Sequence, residues 1–430
     1  MKNFTKTKFV LLVLIAILIS CSKDRIAPPS ISNSTKNKQL NSAPVTVLGI
    51  APSSGIVYTA ITITGSNFDT AKINNIVKIN GVTALVNSAT ASQIIATVPA
   101  GAATGNVTVT TNKVTAQAPA PFKVLRLVKD GDINQPADPL TALAFDKSNN
   151  IYGLQNFASA NHNTVVKYAN GVLTTLYKTP NDTIKPGIHG YNYHYSYRLV
   201  GLATDSHGNI YTGLVRFISY YSVTPQIPDS SWYTTRILKI TPTGRISTFA
   251  TKFGTQVFEN ASALAIDPGD NVYVTINSGG YRQKAISPTI AKITPTGVVS
   301  VFYTADSETG SLDNVIADKD GNIYDGEYGG FDQVSIRKFT PDGSSNAVIA
   351  GPYSAYDNLN TLVIDASENV IATDGSGRYH VVLVNHAGFA ANIAFSGVVS
   401  IYFPLYRFFT DNFGRLYTVN ATTITRYSFQ

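Results

Sequence analysis

Four tyrosines occupy alternate positions in the stretch YNYHYSYR: Tyr191, Tyr193, Tyr195 and Tyr197. In an extended chain alternate residues share a face, so these rings are expected to point one way. A second aromatic group follows in VRFISYYSVTPQIPDSSWYTTR, with Phe217, Tyr220, Tyr221, Tyr233 and the chain's one tryptophan, Trp232. Such rings combine flat apolar surface with a polar edge and lose little entropy on binding. That suits sugar rings, whose C–H faces stack on aromatics while their hydroxyls meet nearby Asn, Asp and Arg. The plainer alternative is that the rings pack the two segments against each other. The reading favoured here is a ligand-binding cluster of Tyr191, Tyr193, Tyr195, Tyr197, Tyr220, Tyr221, Trp232 and Tyr233.

A second candidate set is polar. Asn156, Asn277, Glu327, Asp374 and Asn420 each follow an apolar strand-like run, with Glu259 and Asp313 on nearby connections. Oxygen-rich groups of this kind suit calcium or magnesium, and they equally suit the solvated lining of a channel mouth. His162, His189 and His194 fall on neighbouring segments and are expected to be solvated. No Gly-x-Ser-x-Gly or His-Glu-x-x-His is present, and Cys21 is the only cysteine, so no catalytic residue is predicted. Glycine-rich pieces read as turns with no helix behind them to cradle a phosphate. Basic residues are dispersed, so nucleic acid is not an expected partner.

The elements that must position these groups repeat. ALAFDKSNNIY, GLATDSHGNIY, ALAIDPGDNVY, NVIADKDGNIY, TLVIDASENVI and RFFTDNFGRLY place Asp146, Asp205, Asp267, Asp318, Asp365 and Asp411 at intervals of 46 to 62 residues. Each copy is an apolar strand, a tight turn opened by the Asp, and a second strand. A second word follows in phase, VVKYANG, ILKITPTG, IAKITPTG and IRKFTPDG, with looser forms VVLVNHAG and ITRYSF. It supplies a third strand and a turn into a fourth. Six sets of four antiparallel strands describe a six-bladed β-propeller over residues 122–430. The words resemble NHL repeats, from about Leu127 to Gln430. The last copy ends after its third strand, so FKVLRLV (Phe122 to Val128) is expected to close the ring against TITRYSF.

In this arrangement the first-to-second and third-to-fourth turns share one side and are short throughout. The long connections belong to the other side, at 153–164, 214–235 and 275–289 within blades and 177–198, 252–261, 303–312 and 351–360 between them. Binding groups concentrate on loops held by a rigid frame. Both aromatic stretches fall there, and so does the polar set, at the expected channel mouth. Six-bladed propellers resembling gluconolactonases hold a divalent cation with Glu, Asn and Asp at that place. The resemblance implies a metal-dependent lactonase or hydrolase as the alternative to a binding protein.

Ahead of the repeats, residues 44–121 alternate apolar and polar residues between turn signals, the pattern of an immunoglobulin-like sandwich. ITGSNF, VKINGV and VPAGAATGNVTV resemble the IPT/TIG family, and Gly65 and Gly81 are read as tight-turn glycines with Phe68 as a core plug. Without clustered exposed aromatics the sandwich is expected to be a spacer. The fold class is therefore all-β: a sandwich followed by a propeller.

The N-terminus pairs Lys2, Lys6 and Lys8 with an apolar run from Phe9 to Ile19, a signal peptide over residues 1–20 and too short to remain as a membrane span. LISC resembles the lipobox of bacterial lipoproteins, which implies lipidation of Cys21. CSKDR loosely resembles a surface-export tag of Bacteroidota-type lipoproteins, and residues 21–43 read as a flexible tether. Removing the signal takes three lysines, leaving 30 basic against 26 acidic side chains. The tandem behind a lipobox resembles accessory proteins of glycan-import systems. It implies a non-catalytic outer-membrane lipoprotein on the cell surface, with a polysaccharide ligand and an outer-membrane transporter as partner. A protein-interaction scaffold is the third reading.

Overall fold

The computed structural model describes residues 43–430, leaving out 135–139, 157–161, 170, 187–191, 222–229, 279–285, 306–309, 329–332, 355–358, 366–367, 375–380, 385–389, 394–407 and 420–422. The described residues form strands and turns, with one short 3-10 turn at Lys72–Asn74.

Seven strands build the sandwich, paired in the spatial order 46–51, 60–66, 93–97, 82–89, 75–79, 107–111, 114–117. The strand Val82–Ala89 joins the two layers. Its first residues pair with Val77–Ile79 and its later ones with Ile94–Thr97 across a bulge. Alternating apolar residues meet inside, where Ile61, Ile63, Val77, Ile79, Ile94, Val107 and Val109 are fully buried. Gly81 has the positive φ (84°) that a tight turn needs. Gly65 serves differently. It lies within a strand, and a Cβ there would come within 2.0 Å of the Thr46 carbonyl oxygen and 2.4 Å of the Phe68 ring.

Beyond the sandwich the described residues form six antiparallel sheets of four or five strands. Their inner strands, Ala142–Phe145, Asn192–Thr204, Asn260–Ile266, Ser311–Ala317, Leu359–Ile364 and Phe408–Thr410, touch one another in cyclic order, giving a propeller-like ring. The repeated words explain the local geometry. Oδ1 of Asp205 accepts the backbone N–H groups of His207 (2.9 Å) and Asn209 (2.8 Å), while Oδ2 accepts the Asn209 amide (2.7 Å) and the Tyr211 hydroxyl (3.0 Å). The same carboxylate staple recurs at Asp146, Asp267, Asp318 and Asp411, with Arg415 replacing Asn in the last. Asp365 holds its turn too, but Ile371 replaces the tyrosine. The lysine of the second word then lies over that ring: Lys167 on Tyr152, Lys239 on Tyr211, Lys292 on Tyr273 and Lys338 on Tyr324, at 5.2–5.6 Å. Burial and the adjacent carboxylate push these phenols up, Tyr417 to about 12. The recurring Asp, Tyr and Lys are thus scaffold.

Closure differs in detail from expectation. Leu127–Asn134, with Arg126 just before it, pairs along Thr423–Phe429 and completes the last sheet. Phe122 and Val124 instead belong to the sandwich core, and Lys123–Val124 pairs in parallel with Ser54–Gly55. The alternation that buries Phe122 simply continues the sandwich three residues past its expected end. The two parts share a further cluster, in which Ile56 packs with Val363, Ile371, Phe408 and Leu416.

Candidate functional site

The second sheet departs from the others. Its strands Asn192–Thr204, Ile210–Tyr221 and Ser230–Ile240 hold 13, 12 and 11 residues, whereas the other inner strands have at most seven. Six extra residues at ~3.3 Å each carry a three-stranded ribbon about 20 Å beyond the ring. A short edge strand, Thr183–Pro186, pairs with its outer end. The stretch expected to be a crossing loop is therefore strand, and its alternation is the alternation of a pleated sheet.

Register assigns the faces, since residues paired across strands share one. Tyr193 pairs with Tyr220 and Ser230 follows; Tyr195 pairs with Ile218, and Ile218 with Trp232; Tyr197 pairs with Arg216, and Arg216 with Thr234. One face thus gathers Tyr193, Tyr195, Tyr197, Tyr220 and Trp232, all half-buried. The Tyr193 ring lies 4.9 Å from Tyr220 and 6.4 Å from Tyr195, and Lys185 stands 5.5 Å over Tyr195. Tyr197 anchors the base: it packs with Tyr177 and Leu199, its carbonyl accepts the Asn163 amide (2.7 Å), and its N–H donates to Asp182 (3.2 Å).

Tyr233 belongs to the opposite face. It packs on Phe217 (4.8 Å), and the Arg198 guanidinium lies 6.0 Å above it, bonding Asn260 of the third sheet. Five of the eight expected aromatic residues are thus brought together and one, Tyr233, is turned away. Tyr191 and the Tyr221 side chain lie outside the described residues, as do Cys21 and His189.

The ring encloses a cavity of about 1110 Å³. Most of its lining residues are apolar, and the residues on it with polar side chains are Thr141, Arg198, Thr204, Ser262, Asp313, Asn314, Thr361 and Thr410. Neither Asn277 nor Glu327 lines it. Asn277 is a clamp between sheets, bonding the Leu312 carbonyl (3.0 Å) and N–H (2.9 Å) and the Ser262 hydroxyl (3.1 Å). Glu327 pairs with Arg337 at 2.9 Å. Both stand one strand out from the channel because a second strand is flanked by the first. Asn156 and Asp374 end strands, but their side chains, and all of Asn420, lie outside the described residues. His194 is on the ribbon, opposite Ser219. Among the described residues no group of three or more His, Cys, Asp or Glu is placed to hold a metal ion.

One acidic residue escaped the sequence reading. Asp325, on the second strand of the fourth sheet, is fully buried, and neither carboxyl oxygen meets a hydrogen-bond partner among the described residues. Burial, then the charges of Glu327 and Asp313, push its pKa well above the usual carboxylate range, with Arg337 opposing. Asp313 is raised by burial as well, against a bond from Ser311. The signal for Asp325 was in the repeats. Gly153, Thr212, Val274, Ala372 and Thr418 hold the equivalent position after Tyr or Ile, so an acid there is out of pattern.

Fold and site together define an all-β protein in which a sandwich precedes a propeller-like ring carrying an aromatic ribbon. Residues 44–124 match the IPT/TIG domain. Among solved structures, a Bacteroides thetaiotaomicron protein of unknown function is similar at 14% identity, over 91% of this chain and 99% of that one, with a TM-score of 0.44. An auxiliary nutrient binding protein from Bacteroides ovatus is similar at 12% identity, over 90% and 99%, with a TM-score of 0.43. A gluconolactonase from Xanthomonas campestris is similar at 10% identity, over 71% and 90%, with a TM-score of 0.46. No curated protein matches the chain.

Proposed function

We propose that this protein is a non-catalytic binding lipoprotein of the outer membrane, anchored through Cys21 and exposed at the cell surface. In this reading the repeats form a six-bladed, NHL-type propeller, the IPT/TIG sandwich is a spacer, and an outer-membrane transporter receives the ligand. The ligand is a polysaccharide or oligosaccharide lying on the ribbon. The observation that carries the reading is the shared face of Tyr193, Tyr195, Tyr220 and Trp232, set on strands rather than loops and therefore held rigid. A rigid aromatic platform binds with little ordering cost.

Native affinity electrophoresis against a glycan panel tests it. At least one polysaccharide should retard the protein, and the Tyr195→Ala, Trp232→Ala double variant should migrate freely at an unchanged melting temperature. Failure of every glycan to retard the wild type, or full retention by the double variant, would remove the proposal. Anchoring is tested separately. Cys21→Ala should move the protein from the membrane fraction to the soluble one.

A further inference from the structure

The proposed glycan face has a charge character of its own. The three ribbon strands contain Arg198, Arg216, Arg236 and Lys239 and not one Asp or Glu. Lys239 is used by the scaffold, over Tyr211 and 3.9 Å from Asp205, and Arg198 is turned to Asn260 on the far face. Arg216 is different. It lies on the tyrosine face between Tyr197 and Thr234, half-buried, with an Nε that is shielded from water and meets no acceptor among the described residues. No ion pair reaches it among those residues. Two rows away on the same face Lys185 is exposed above Tyr195.

A buried donor without a partner is costly, and a guanidinium fork is matched in shape by a carboxylate. We infer that the ribbon's tyrosine face takes a carboxylate-bearing polysaccharide, a polyuronate, with Arg216 receiving a sugar carboxylate and Lys185 a second one along the chain. The inference rests on the proposed glycan-binding reading and narrows it. Stacking on Tyr195 and Trp232 supplies sequence-tolerant contact, while the cations select acidic sugars over neutral ones.

The test uses the full chain and three polymers: polygalacturonate, its fully methyl-esterified form, and dextran sulfate, which is anionic but has no carboxylate. The acid should bind best, with affinity falling as salt rises. Arg216→Gln should weaken binding of the acid by about ten- to a hundredfold, the range for a charge-assisted bond, and leave the ester unchanged. Lys185→Gln, at an exposed edge position, should cost several-fold and serves if the Arg216 variant does not fold. Arg245→Gln, in the turn at the other end of the same sheet, away from the ribbon's outer end, should do nothing. Equal binding of acid and ester, or of acid by wild type and both Gln variants, would overturn the inference while leaving the glycan reading intact. Preference for dextran sulfate would overturn the choice of carboxylate, and absence of binding to any glycan removes both readings together.

Discussion

Replacing Asp325 by valine should stabilise the protein, and by an amount that depends on pH. Valine is what the adjoining sheet carries at the equivalent place, Val274, itself fully buried. The exchange removes two buried oxygens without partners, each costing about 1–3 kcal/mol. The somewhat larger side chain returns ~1 kcal/mol or more of packing strain. A net gain of roughly 2 kcal/mol is expected where the carboxyl is protonated in both states. The pH dependence follows from the raised folded-state pKa. Above the ordinary value of 3.8 the unfolded chain has released its proton while the native protein still holds one. Wild-type stability from this group therefore falls as pH rises, by about 1.4 kcal/mol per unit, until the folded pKa is passed. Burial sets the sign and the neighbours reinforce it: Glu327 and Asp313 add negative charge, and Arg337 spends its Nε on Glu327 and its Nη1 on Asn346. Urea melts of both proteins between pH 4 and 9 should show a gap that widens with pH and then levels. A valine variant less stable than wild type, or a gap constant over that range, would mean that Arg337 holds an ionised Asp325, and the argument would fail.

Three further outcomes follow from the scaffold. Asp267→Ala should cost roughly 3 kcal/mol, because one carboxylate serves two backbone N–H groups, an amide and a phenol; Tyr273→Phe, which removes only the last bond, should cost ~1 kcal/mol, both by chemical denaturation. Ile56→Ala should cost about 2–4 kcal/mol, and calorimetry should then show the sandwich and ring melting apart, since Ile56 is the sandwich's buried contribution to their common cluster; a single unaltered transition would contradict that coupling. Ile424→Ala, in the strand paired with Leu127–Asn134, should destabilise the ring by ~2–4 kcal/mol, whereas Phe413→Ala, at an exposed turn, should be neutral within 0.5 kcal/mol or so.

What could be read from the chain was whatever repeats or alternates locally. The Asp of each turn word is one such feature, because its partners lie two, four and six residues away and no distant information is needed. The IPT/TIG words are another, although Gly65 was read as a turn glycine when its role is close approach to Thr46 nineteen residues earlier. Pairing between distant segments was less legible. FKVLRLV had the right character for a closing strand, but only register shows that Phe122 faces the sandwich and that closure begins near Leu127. Two members of the polar set were misplaced for a related reason: Asn277 and Glu327 share a residue class with channel lining, yet their bonds go to Leu312 and Arg337.

The ribbon shows most clearly where local reading stops. Alternation in YNYHYSYR is the signature of a strand with one aromatic face, and that inference from the residues was sound. Placing the stretch on a loop came from its position between two repeats, an argument about chain order rather than about chemistry. Trp232 and Tyr233 are adjacent and chemically alike, so composition assigns them together. Strand pairing separates them, because Ile218 puts the indole beside Tyr195 while Phe217 draws the phenol toward Arg198. A change of register by one residue would exchange the two faces and bring Phe217 and Tyr233 beside Tyr195. The binding reading therefore depends on pairing more than on aromatic content, and it can be probed at that level. Cysteines at Tyr193 and Tyr220, directly opposed across the ribbon, should cross-link on mild oxidation of the otherwise cysteine-free Cys21→Ala protein, whereas a Tyr193 and Ser219 pair should not. Efficient cross-linking of the second pair would place the tyrosines on different faces and dissolve the platform.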